Sequence, residues 1–141
     1  IQIQSGNKSL IISDSALLES GRDVYYTTNF SLYQRIKHHE KLLFQSDDPG
    51  SDFRDFSFKE SRFFVIDDLL LLPKDKANFD YLLLRNNPKI SIKELSDKIL
   101  AKTIIVDGSN KNWKIEQWKA ECEEIKIPFI DITQEGAFSL K

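Results

Sequence analysis

Methionine is absent from the 141 residues, and the chain has only two histidines and one cysteine. A lone thiol, Cys122, closes no disulfide within the chain, so cysteine usage gives no redox compartment. Without Cys pairs there is no zinc-ribbon pattern. Glycine is sparse, and no Gly-rich phosphate loop or nucleophile elbow is present. No window approaches the roughly 18 apolar residues of a membrane span. The run Leu69 to Leu72 is closed by Pro73. Neither charge sign dominates: a formal net charge of −2 leaves no overall basic footprint for nucleic acid, although a local basic patch stays open. No signal peptide precedes the strand-like Ile1-Gln2-Ile3-Gln4. A chain that starts there reads as a piece of a longer protein, whose other part holds the membrane segments or the targeting signal.

What remains is the composition of one soluble α/β domain over residues 1–141, with 40% hydrophobic and 30% charged residues. Ile1 to Ser5 alternates like a half-buried strand; Gly6-Asn7 turns, and Leu10-Ile11-Ile12 is its hairpin partner. Asp23 to Thr28 is a β-branched and aromatic strand. Leu32, Ile36 and Leu43 suggest an amphipathic helix ending near Leu42. Gln45 to Ser61 reads as a loop with Phe53, Phe56 and Phe58 as anchors, including a strand at Asp55 to Lys59. Arg62 to Asp67 is a buried strand, and Lys74 to Asn78 a polar connection.

The second half is more regular. Tyr81 to Leu84 and Thr103 to Val106 are short apolar runs, as in parallel strands covered on both faces. Ser91-Ile92-Lys93-Glu94 is a capping box that opens a helix with Ile92, Leu95 and Ile99 on one face. A helix over Asn112 to Ile125 follows, with Ile115, Trp118, Cys122 and Ile125 as its inner stripe. Ile127 to Ile130 leads into a strand, Glu135-Gly136 turns, and Ala137 to Leu140 closes the sheet. Two polar loops, Arg85 to Lys89 and Asp107 to Asn112, follow strands and should open at one sheet edge, where open α/β sheets place their sites.

Few residues invite chemistry. His38 and His39 are adjacent on the expected helix, about 100° apart, and so cannot chelate one ion. Asp67-Asp68 at a strand end suits Mg²⁺ or Mn²⁺, but reads more simply as a turn. Asp107 is either a ligand or base, or an Asx-turn before a helix cap at Ser109 or Asn110. Asn86, Asn87 and Pro88 form a turn in which the residue before proline should be extended. Arg85 and Lys89 beside it could meet a phosphate. Cys122 reads as a small core residue, and Trp113 and Trp118 as packing residues rather than base-stacking platforms, a reading that fits Trp113, nearer the helix start, less well than Trp118.

From Asp80 onward these pieces resemble the end of the metallo-β-lactamase-like domain at the C-terminus of ComEC, the inner-membrane channel of natural competence. The segments that carry the resemblance are Asp80 to Leu84, Asn86-Asn87-Pro88, Ser91 to Leu100, Lys102 to Val106, Trp113 to Ile125 and Gln134 to Phe138. It implies a partial or degenerate αββα fold, with mixed sheets and flanking helices. It also implies a parent protein in the inner membrane, with DNA, the channel domain of the same polypeptide and other uptake proteins as partners. Active members of that superfamily hold two metals through a His-x-His-x-Asp-His cluster, which this chain lacks. Asn86 and Asn87 stand where a histidine pair would, and an amide is a poor ligand for such metals. The resemblance therefore implies a non-catalytic domain without a cofactor. Its old active-site mouth would comprise Arg85, Asn86, Asn87, Lys89, Asp107, Ser109, Asn110, Lys111 and Asn112, touching DNA through phosphates. The alternative is a metal-dependent nuclease or phosphohydrolase that holds Mg²⁺ or Mn²⁺ with Asp67, Asp68 and Asp107. A third reading is an interaction module that uses the aromatic segment Phe53 to Phe58.

Overall fold

The computed structural model describes residues 2–5, 8–14, 38–44, 55–67, 72–135 and 138–140. The chain divides into two compact units, Ile1–Phe53 with Ala137–Lys141, and Arg54–Gly136. In the first, strands β1 (Gln2–Ser5), β2 (Lys8–Asp14), β3 (His38–Phe44) and β9 (Phe138–Ser139) form a sheet in the order β3-β2-β1-β9. The hairpin read at the N-terminus is present, with β1 and β2 antiparallel and Ile3 opposite Leu10.

The second unit carries a five-stranded sheet, β4 (Asp55–Phe58), β5 (Ser61–Ile66), β6 (Ala77–Leu84), β7 (Ile99–Val106) and β8 (Phe129–Asp131), in chain order. Only the β4–β5 pair is antiparallel, so the sheet is mixed. Helices α1 (Ile92–Lys98) and α2 (Asn112–Ile125) are the crossovers into β7 and β8, and a short α3 (Ile132–Glu135) follows β8. This is an α/β unit compatible with a partial αββα arrangement.

The apolar runs account for the core. Leu82, Leu84, Ile104 and Val106 point to the helix-bearing face and pack with Ile92 and Leu95 of α1 and Ile115, Trp118 and Cys122 of α2. Phe63, Val65, Leu83 and Ile105 are also buried, so the central strands are covered on both faces, as continuous apolar strands require. Asp80 ties three strands: its carboxylate accepts from the Arg62 N–H at 2.8 Å and pairs with Lys102 at 2.6 Å. These contacts, the backbone N–H foremost, hold Asp80 below the usual carboxylate range. Its contribution is present above its unfolded pKa and fades as pH falls through the lowered folded value.

Several expectations are corrected. His38 and His39 are not on a helix: β3 runs parallel to β2 over seven residue pairs, from Lys8–His38 to Asp14–Phe44. Backbone pairing with a neighbouring strand overrides a short helical period. Strand β6 starts at Ala77 and β7 at Ile99, so part of the polar connection and the last residue assigned to the first helix belong to strands. The strand read at Asp55 to Lys59 is present as β4, Asp55–Phe58, and carries Phe56 and Phe58. Phe58 is buried, and the Phe56 ring stacks on Phe63 at 5.0 Å between centroids, which removes the described part of that segment as an exposed aromatic contact. The capping box and the bounds of α2 stand as read, with Ser91 Oγ accepting from Glu94 N and the Glu94 carboxylate accepting from Ser91 N. Phe53, Asp23 to Thr28, Leu32, Ile36, Asp68 and Leu69 to Leu71 lie outside the described residues.

Candidate functional site

Strands β6 and β7 are parallel neighbours in register, Leu84 opposite Val106, so the loops after them leave the sheet side by side. Side chains at the start of each loop bind it to the other. Asp107 stands just past the end of β7, 7% exposed. One carboxylate oxygen accepts from Arg85 Nε at 2.9 Å, across from the end of β6. The other accepts from Ser109 N at 3.1 Å and from the Ser109 hydroxyl, which makes the Asx-turn read from the sequence. The Arg85 and Asp107 side chains are 14% and 10% exposed, so this pair is largely withdrawn from water.

Asparagines complete the lock. Asn86 donates its N–H to Ser109 Oγ, and Asn87 donates its N–H to Asn110 Oδ1, both at 2.9 Å. The Asn87 amide works on both sides: Nδ2 donates to Ser109 O at 3.3 Å, and Oδ1 accepts from Lys111 N at 2.6 Å. Asn110, 5% exposed, donates back to Leu84 O at 2.7 Å and to Asp107 O at 3.1 Å. Asn86 and Asn87 have φ of 56° and 55°. Asn87 is therefore not extended before Pro88. Asparagine is the side chain that best tolerates this left-handed backbone after glycine, and here it also offers an amide to the facing loop. The helix cap differs too: α2 is capped at Lys111, which makes no side-chain cap bond, and the Lys111 N–H goes to Asn87 instead.

The nine mouth residues thus sort into two groups. Arg85, Asn87, Asp107, Ser109 and Asn110 are engaged with one another, while Lys89, Lys111 and Asn112 are exposed, as is Asn86 apart from its backbone bond. Among the described residues no three His, Cys, Asp or Glu side chains come together as a metal cluster. Asp67 follows β5 at the same sheet edge, half-buried. A dinuclear metal centre of the kind the resemblance brings to mind does not fit this donor set. The Asp107 oxygens are occupied by Arg85 and Ser109, and the Asn87 amide oxygen by Lys111 N.

Beside the lock lies an open groove of about 490 Å³, with Asn87, Pro88 and Lys89 on one wall and Lys111, Trp113 and Lys114 on the other. Trp113 and Lys114 are not among the mouth residues read from the sequence. Trp113, taken as packing, is 63% exposed. The signal was there: Trp113 lies two residues from Ile115, about 200° around a helix, and so off the inner stripe. Lys114 sits with its ammonium 5.7 Å from the centroid of the Trp113 ring and 5.2 Å from that of Trp118. Trp118 is fully buried, and its indole N–H donates to Ile90 O at 3.0 Å, pinning the end of the β6 loop to α2. Glu94 reaches the groove already engaged: the Ser91 N–H and hydroxyl hold its carboxylate below the usual range. Cys122 offers no nucleophile, because burial first, and the nearby Glu121 and Glu123 carboxylates after it, push its thiol up to about 12.

Among the described residues no helix is long and apolar enough to cross a membrane. The family model of the ComEC C-terminal domain matches residues 1–141. No curated protein and no solved structure matches the chain.

Proposed function

The chain belongs to the ComEC C-terminal domain family, membrane-associated proteins of competence DNA uptake, and on that premise we propose that this domain guides DNA without cleaving it. The observation that carries the reading is the lock between the two loops. Arg85, Asn87, Asp107, Ser109 and Asn110 are committed to one another at the sheet edge, and Lys89 and Lys111 line the groove beside them. In this reading the lysines meet phosphates, while Arg85, Asn87, Asp107, Ser109 and Asn110 keep the walls in place. The parent protein sits in the inner membrane, and the domain passes DNA to or from the channel domain of the same polypeptide, alone or with other uptake proteins. A Mg²⁺- or Mn²⁺-dependent nuclease built on Asp67, Asp68 and Asp107 would require Asp107 to give up Arg85 and Ser109 first.

Phosphate contact makes binding steeply dependent on salt, because each neutralised phosphate releases counterions. Lys89→Glu is expected to weaken DNA binding several-fold at low salt and to reduce the slope of log affinity against log salt by about one. Fluorescence anisotropy of labelled DNA over a salt series reads both quantities. Unchanged low-salt affinity would remove this groove as a DNA contact.

A further inference from the structure

Building on the reading of the groove as a DNA contact, we infer that Trp113 is a base-stacking platform and that the groove takes single-stranded rather than duplex DNA. The two tryptophans of the chain, five positions apart on one helix, have opposite surroundings. Trp118 is fully buried with its N–H satisfied, whereas Trp113 is 63% exposed at the groove wall. A single exposed apolar side chain is ordinary on a protein surface; what sets Trp113 apart is that it lines a groove together with lysines. At about 490 Å³ the groove is in the size range of small-ligand pockets and has room for a nucleotide.

The charges around the ring select the occupant. Lys89, Lys111 and Lys114 line the same groove as Trp113, and the one carboxylate there among the described residues, Glu94, is engaged by Ser91. The result is an aromatic face set among cations, the combination that holds unpaired bases by stacking while lysines follow the backbone. A duplex keeps its bases stacked on each other and can offer such a groove only phosphates. An unpaired strand offers a base face and a phosphate together.

The test uses the 141-residue chain with a thymidine dodecamer and a duplex of equal length, both at low salt. Trp118 is buried, so a change in tryptophan emission reports on Trp113. Single strand is expected to quench that emission and duplex to leave it unchanged. Trp113→Ala should weaken single-strand binding about ten-fold with no effect on duplex, while Trp113→Phe, which keeps a ring, should retain most of the affinity. Circular dichroism confirms that the variants are folded. If Trp113→Ala binds single strand like the parent chain, or if single strand leaves the emission unmoved, stacking is refuted. Should Lys89→Glu still weaken binding in that case, the groove remains a DNA contact and only the stacking inference falls. If neither strand form binds at low salt, both fall.

Discussion

Asp107→Ala is expected to lower the stability of the domain by about 3–5 kcal/mol, the cost of removing one partner from a buried ion pair. The carboxylate accepts from Arg85 Nε, Ser109 N and the Ser109 hydroxyl, and it is 7% exposed. Its loss strands the Arg85 guanidinium, which is itself 14% exposed, and leaves Ser109 donors without an acceptor. Urea unfolding measures the change. A cycle with Arg85→Ala isolates the pair, and a coupling energy of about 1–3 kcal/mol is expected between groups in direct contact. This outcome separates two roles for the same residue. A structural Asp107 costs stability when removed, whereas a catalytic Asp107 would cost turnover and leave the unfolding midpoint near that of the parent. A stability change within about 0.5 kcal/mol would count against the lock.

Trp118→Ala should cost a similar amount, about 3–5 kcal/mol, by a different route. The fully buried indole fills the space between α2 and the sheet, and its N–H satisfies Ile90 O. Truncation leaves a cavity and an unpaired carbonyl in one step. Against a typical total of about 5–15 kcal/mol, the variant should be close to unfolded in mild urea. Because Trp118 also lies under the Lys114 ammonium, any folded fraction should bind DNA less well as the groove wall loosens. Trp118→Phe, which keeps most of the volume but not the N–H, should fall between the two. A cost below about 1 kcal/mol for Trp118→Ala would mean that α2 is not held as described.

How much of this was legible in the sequence depends on the range of the interaction concerned. The capping box of Ser91 and Glu94 and the inner stripe of Ile115, Trp118 and Cys122 are set by residues three or four apart, and both α1 and α2 lie where the pattern puts them. The parallel strands were legible for the same reason, as short apolar runs between polar loops, and so was the shared edge from which the loops emerge. His38 and His39 were misplaced because β3 is defined by its pairing with β2, about thirty positions away, and a short apolar period carries no trace of that partner. The pattern of Asn86, Asn87 and Pro88 marks a turn, but the bonds to Ser109, Asn110 and Lys111 cross from one loop to the other over more than twenty positions, and no local rule supplies them. Those bonds also account for the φ of 55° at Asn87, against the preference of a residue before proline. Trp113 is the one misjudgement that local geometry could have prevented, since its angular position already set it apart from the stripe.

A sheet edge that is a lock and one that is a metal centre differ in what they bind. Calorimetric titration of the chain with Zn²⁺, Mn²⁺ and Mg²⁺, run beside a cleavage assay on labelled single- and double-stranded DNA, tests this directly. The expected result is no stoichiometric metal uptake and no cleavage, under conditions where DNA still binds. A stoichiometric site with metal-dependent cleavage, abolished by Asp107→Ala in a variant that stays folded, would contradict it and make the domain a nuclease.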